Sequence, residues 1–93
     1  MLHASAKDHR RDLDVLTLRL QDLKDEAKKR GGSDFQQGLH RLQDERDWLA
    51  AKLTDIESGR ANWILIEDEF GRAWNEFVMN LEVLELELLE TAR

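Results

Sequence analysis

The sequence contains no cysteine, no proline and no tyrosine among its 93 residues. Without cysteine, the chain can form neither a disulfide nor a thiolate metal site. No uninterrupted apolar run exceeds four residues, as in Trp63–Ile66, which is far too short to span a bilayer. Residues 1–11 have no apolar run resembling a signal peptide. We therefore expect a cytoplasmic protein. A membrane-surface role would want a basic polar face, whereas the most apolar half of this chain is the acidic one, so we also expect no membrane partner.

Charged residues are abundant and unevenly distributed. They make up 37% of the chain, whose net charge is -6, a composition typical of amphipathic helices. Residues 1–33 hold eight basic and six acidic residues, whereas residues 61–93 hold two and eight. Because nucleic-acid binding needs a basic footprint, we expect no nucleic-acid partner.

Gly31-Gly32-Ser33 predicts a break between two helices. Glycine after a basic last turn is a C-cap signal, and Ser33 with Gln36 resembles a capping box, with Asp34 as a competing N-cap. These signals predict one helix at about residues 4–30 and another from about residue 34. So short a connection makes the helices antiparallel neighbours within a single domain, residues 1–93.

Both segments carry apolar residues at heptad spacing, which is typical of coiled coils and helical bundles. The stripe of the first segment contains these residues: Leu2, Ala6, His9, Leu13, Leu16, Leu20, Leu23, Ala27 and Arg30. The stripe of the second contains these: Leu39, Leu42, Arg46, Leu49, Leu53, Ile56, Arg60, Trp63, Glu67, Phe70, Trp74, Phe77, Leu81, Leu84 and Leu88. The pattern predicts an all-α fold.

The heptad phase runs unbroken past Ser58-Gly59. A turn there would have no reason to preserve that phase, and Ser58 as an N-cap would lack a capping-box partner at Ala61. We therefore predict one long helix at about 34–91, and so an antiparallel helical hairpin that forms a coiled-coil-like dimeric bundle. The alternative is a closed up-down-up bundle of three helices with a turn at 58–59.

A long helix would extend beyond its shorter partner and leave half of its stripe uncovered, which favours a homodimer. In an antiparallel dimer, Arg60 of one chain would pair with Glu67 of the other, fixing the register. The predicted dimer interface consists of Leu49, Leu53, Ile56, Arg60, Trp63, Glu67, Phe70, Trp74, Phe77, Leu81, Leu84 and Leu88.

Residues that could carry chemistry are few. The three histidines show no metal-ligand spacing, there is no nucleophile set, and we expect no catalytic, metal or cofactor site. His9, on the apolar stripe, is predicted to pack with its polar atoms satisfied. The leading hypothesis is a non-enzymatic, homodimerising assembly module. Two alternatives are an adaptor or regulator that captures a partner helix, and a small enzyme or ligand-binding protein with a pocket near Trp63, Trp74 and Glu67.

Overall fold

Three α-helices make up almost all of the described chain. The computed structural model describes the backbone of residues 6–30 and 32–91, and the side chains of residues 7–29 and 32–90. The helices are α1 (Ala6–Arg30), α2 (Ser33–Glu57) and α3 (Trp63–Thr91), and these ranges contain no strand. They pack side by side in a body of 45 × 21 × 18 Å. The all-α prediction is confirmed, and the closed three-helix bundle is the alternative that fits.

The first connection places the start of α2 one residue earlier than predicted. Gly32 is the N-cap, and its carbonyl accepts a hydrogen bond from the Gln36 N–H at 3.1 Å. No side chain caps this helix, so the predicted N-cap roles of Ser33 and Asp34 are wrong. Asp34 lies in the first turn, where its negative charge complements the helix dipole.

The prediction of one long helix over residues 34–91 is wrong, because α2 ends at Glu57. Gly59 has a φ of 80°, a left-handed conformation that glycine adopts without steric cost. Its N–H donates to the Ile56 carbonyl at 3.1 Å, and the Arg60 N–H donates to the Asp55 carbonyl at 2.8 Å. These two bonds define a Schellman C-cap, so glycine ends α2 here rather than being tolerated within a helix.

Asn62 precedes α3 and caps its N-terminus. Its side-chain oxygen accepts a hydrogen bond from the Ile64 N–H at 3.0 Å, which satisfies one of the donors left open at a helix N-terminus. Ser58 is the C-cap of α2 rather than the N-cap of a new helix. Ile56 and Trp63 are seven positions apart in the sequence, with the five loop residues 58–62 between them. The heptad spacing therefore continues across a break in the helix.

The core runs along the inner faces of all three helices. All fourteen buried apolar residues of the described chain belong to the two predicted stripes, which confirms the apolar faces drawn from the sequence. They are Leu13, Leu16, Leu20, Leu23, Ala27, Leu39, Leu42, Leu49, Leu53, Phe70, Phe77, Leu81, Leu84 and Leu88. Trp48, which lies off the stripe, also packs against this core while half-buried.

Candidate protein-interaction surface

The residues predicted to form a dimer interface lie mainly in the core of a single chain. Seven are buried: Leu49, Leu53, Phe70, Phe77, Leu81, Leu84 and Leu88. Four are half-buried: Ile56, Trp63, Glu67 and Trp74. Because α1 and α2 cover the stripe of α3, the uncovered half-stripe from which the dimer was inferred does not exist in this fold.

The predicted pairing of Arg60 with Glu67 loses its basis in the same way. Arg60 is exposed in the loop after α2, where its Nε donates a hydrogen bond to the Ser58 hydroxyl at 3.2 Å. Glu67 lies on α3 and is half-buried. The register of the antiparallel dimer required both residues on one helix, and the loop separates them.

An aromatic cluster lies at the end of the bundle, beside the loop that joins α2 to α3. The ring of His9 lies 5.3 Å from Trp63, 5.2 Å from Phe70 and 5.2 Å from Trp74, measured between ring centroids. These separations fall within the range of favourable aromatic contact. His9 thus packs against both tryptophans that the third hypothesis placed at a ligand pocket.

Two polar atoms in this cluster lack partners among the described residues. His9 Nδ1 and Trp63 Nε1 are buried and accept or donate no hydrogen bond there. The prediction that His9 packs in the apolar stripe is confirmed, whereas satisfaction of its ring is not shown for Nδ1. Burying such a group without a partner costs about 1–3 kcal/mol, and this cost opposes the favourable ring contacts of the cluster.

Ion pairs join α1 to each of the other helices. Arg10 Nη2 lies 2.9 Å from the Glu57 carboxylate on α2. Arg19 Nε donates to Glu85 on α3 at 3.2 Å, beside a second, shorter bond between the same side chains. The hydrogen bond from Arg10 lowers the pKa of Glu57. The hydrogen bonds to Glu57 and to Glu85 raise the pKa of Arg10 and of Arg19, respectively.

The outward face of α3 exposes a second row of apolar side chains. Six of the eight large apolar residues exposed in the described chain are on α3, two on α1 and none on α2. Four of the six recur in steps of four, three and three residues, which places them on one side of a helix. We define the outer strip as Met79, Val83, Leu86 and Leu89, each between 48% and 64% exposed.

The outer strip is surrounded by carboxylates. Glu76, Glu82 and Glu90 are exposed beside or between its members. Over all of α3 there are eight acidic residues and one basic residue, Arg72. No lysine, arginine or histidine follows Arg72 within the helix. The strip therefore combines apolar contact area with a concentrated negative charge.

A groove between α1 and α3 adjoins the strip. It has a volume of about 410 Å³ and is lined by Arg19, Asp22, Leu23, Glu26, Glu85, Leu88 and Leu89. Leu89 belongs to both groove and strip, so the two surfaces are continuous. The Arg19–Glu85 ion pair borders the groove and neutralises Arg19, which is the one basic residue among the described residues of its lining.

Other kinds of site find little support in the described ranges. Their His, Asp and Glu side chains form no group of three or more that could hold a metal ion. None of the helices is long and apolar enough to cross a membrane, within the same limits. Comparison of the chain with protein-family models, curated proteins and solved structures gives no match.

The outer strip was not predicted, although its spacing is present in the sequence. The spacing of Met79, Val83 and Leu86 repeats the four-three pattern of the second segment's heptad stripe, residues 39–88 (the main stripe), on the opposite side of the helix. The heptad stripe contains more apolar residues than the outer strip and is therefore the stronger signal in the sequence. A helix with two apolar sides has more apolar surface than one inner face can bury.

Proposed function

We propose that this protein is a non-enzymatic helical interaction module that binds another polypeptide through the outer strip of α3. The observation that carries the proposal is the exposure of four large apolar side chains on one side of a helix whose opposite side already fills the core. Contiguous exposed apolar surface rimmed by polar groups is typical of binding sites. One apolar side of α3 is buried in the core when the chain folds, whereas the other stays exposed to solvent.

The strip suits a helical partner best. Its first and last members are ten residues apart in the sequence, or about 15 Å along the helix at 1.5 Å per residue, which equals about three turns. Helix-in-groove recognition uses apolar anchors at such spacings. The adjoining groove between α1 and α3 offers space for an anchor side chain beside Leu89. This adaptor role was the second hypothesis drawn from the sequence.

Site-specific photo-crosslinking in the native host tests the proposal. A benzophenone amino acid replaces Val83 in the strip, and a matched variant carries it in place of Arg41, which is exposed on α2. We expect an adduct from position 83 that is absent from position 41. Equal adducts from the two positions, or none from position 83 at normal expression, would reject the strip as a binding surface.

Homodimerisation through the main stripe is a separate proposal that requires a domain swap. If the loop at residues 58–62 opened, α3 of one chain would pack on α1 and α2 of another with the same core contacts. Light scattering coupled to size-exclusion chromatography distinguishes the closed monomer from the domain-swapped dimer. A swapped dimer has about twice the 10.9 kDa mass of the chain, and its mass is unaffected by substitutions in the outer strip.

A further inference from the structure

We infer that the partner of the outer strip is a basic amphipathic helix from another protein, whose apolar side covers Met79, Val83, Leu86 and Leu89 and whose lysines or arginines face the surrounding carboxylates. This inference rests on the proposed function and names the chemistry of its partner. The inference uses both the apolar spacing and the charge of the strip. The spacing excludes basic segments that have no apolar side, and the charge excludes apolar helices that are uncharged or acidic.

Charge complementarity sets the sign of the partner. Glu82 is three residues after Met79 and four before Leu86, and Glu90 is four after Leu86, so both carboxylates are neighbours of the strip on the helix surface. Any helix that buries the strip also approaches these carboxylates and partly removes them from water. An uncharged or acidic helix would leave them uncompensated, whereas basic residues would form charge-assisted hydrogen bonds.

A second copy of this chain is a poor occupant by the same criterion. Two α3 helices packed through their strips would bring together two elements that each carry eight acidic residues and one basic residue. Helix α1 carries eight basic and six acidic residues, and its exposed Leu18 is accompanied by Asp14 and Asp22 at helical spacing. Among the described residues of another copy, α2 exposes no large apolar side chain, and neither α1 nor α3 presents an apolar side with a uniformly basic border.

Three fluorescein-labelled peptides of about 18 residues test the inference. The first has leucines at i, i+3, i+4 and i+7 with lysines along the borders. The second has glutamate in place of every lysine. The third keeps the composition of the first but scrambles the order, so that charge remains and the apolar side is lost. Binding is measured by fluorescence anisotropy at low and at physiological ionic strength.

We expect the first peptide to bind at least about tenfold more tightly than either of the others, and its affinity to fall as salt screens the carboxylates. The double substitution Val83→Gln and Leu86→Gln should weaken binding by at least about tenfold, because it removes two apolar contacts. The matched double substitution Val15→Gln and Leu18→Gln, at exposed positions of α1, should change the affinity by less than about twofold. Circular dichroism establishes that both variants fold.

Three outcomes would overturn the inference. Equal binding of the lysine and glutamate peptides would show that charge does not select the partner. Equal binding of the scrambled peptide would show non-specific attraction to an acidic protein. An unchanged affinity of the Val83→Gln, Leu86→Gln variant would place binding elsewhere.

The crosslinking experiment separates failure of this inference from failure of the proposed function. An adduct at position 83 together with no binding of the lysine peptide would retain the interaction surface and reject a basic partner. An adduct whose mass is that of two chains would make a second copy the occupant and would also reject the inference. Absence of both adduct and peptide binding would reject the two proposals together.

Discussion

Helices α2 and α3 pack against the same core, yet their outward faces differ. Four leucines of α2 and five apolar residues of α3 are buried. Outside the core, α2 exposes no large apolar side chain within the described chain, whereas α3 exposes six. The composition of α2 is therefore explained by folding and solubility. That of α3 includes apolar residues that folding of one chain does not use, and these mark the candidate binding surface.

The largest effects should come from the inner faces, where the two helices are alike. Phe77→Ala on α3 should lower the free energy of unfolding by about 3–5 kcal/mol, and Leu49→Ala on α2 by about 2–5 kcal/mol, because both side chains are fully buried. Leu86→Ala on the outer strip should change it by less than about 0.5 kcal/mol. Urea denaturation followed by circular dichroism measures all three. If Leu86→Ala cost as much as Phe77→Ala, the distinction between the two sides of α3 would fail.

A pair of glycine substitutions should change stability less and in opposite directions. Gly59→Ala should destabilise the protein by about 1 kcal/mol, because alanine is strained at a φ of 80°. Gly71→Ala, inside α3, should stabilise it by about 0.5–1 kcal/mol, since a β-carbon there meets no atom within 4 Å. Thermal denaturation shows whether each substitution raises or lowers the stability of the protein. Stabilisation by Gly59→Ala would instead indicate that α2 continues into α3, as the heptad phase first suggested.

The smallest effects should come from the ion pairs that tie α1 to α2 and to α3. Arg10 lowers the pKa of Glu57 in the folded state, so the pair stabilises the protein above the unfolded carboxyl pKa and loses this contribution as pH falls through the lowered one. Glu57→Gln should therefore destabilise slightly at neutral pH, with a difference from wild type that closes in acid and at high salt. Glu85→Gln should likewise show salt-sensitive destabilisation at neutral pH. Denaturation curves at several pH values and salt concentrations provide the measurement, and a Glu57→Gln penalty that grows in acid would contradict the assigned pairing.

The inner faces of the helices could be predicted from the sequence because heptad spacing directly reflects which side of a helix is buried. The break between α2 and α3 could not be predicted from that spacing, since a loop of five residues happened to preserve it. Its signals were instead local: Gly59 in a left-handed C-cap and Asn62 as an N-cap. The residues of the predicted interface are mostly buried or half-buried within one chain, and their role between chains stays a prediction, because burial within one chain and burial between chains select the same residues.

The two ring nitrogens without partners in the aromatic cluster also predict that this end of the bundle opens more readily than its middle. When α1 and α3 separate there, water can hydrogen-bond to His9 Nδ1 and Trp63 Nε1, which are buried without partners among the described residues. That recovered hydration lowers the free energy of local opening by about 1–3 kcal/mol per group relative to a fully paired end. Amide hydrogens near the start of α3 are therefore expected to exchange with solvent sooner than those around Leu81, and the fluorescence of Trp63 and Trp74 reports the same opening.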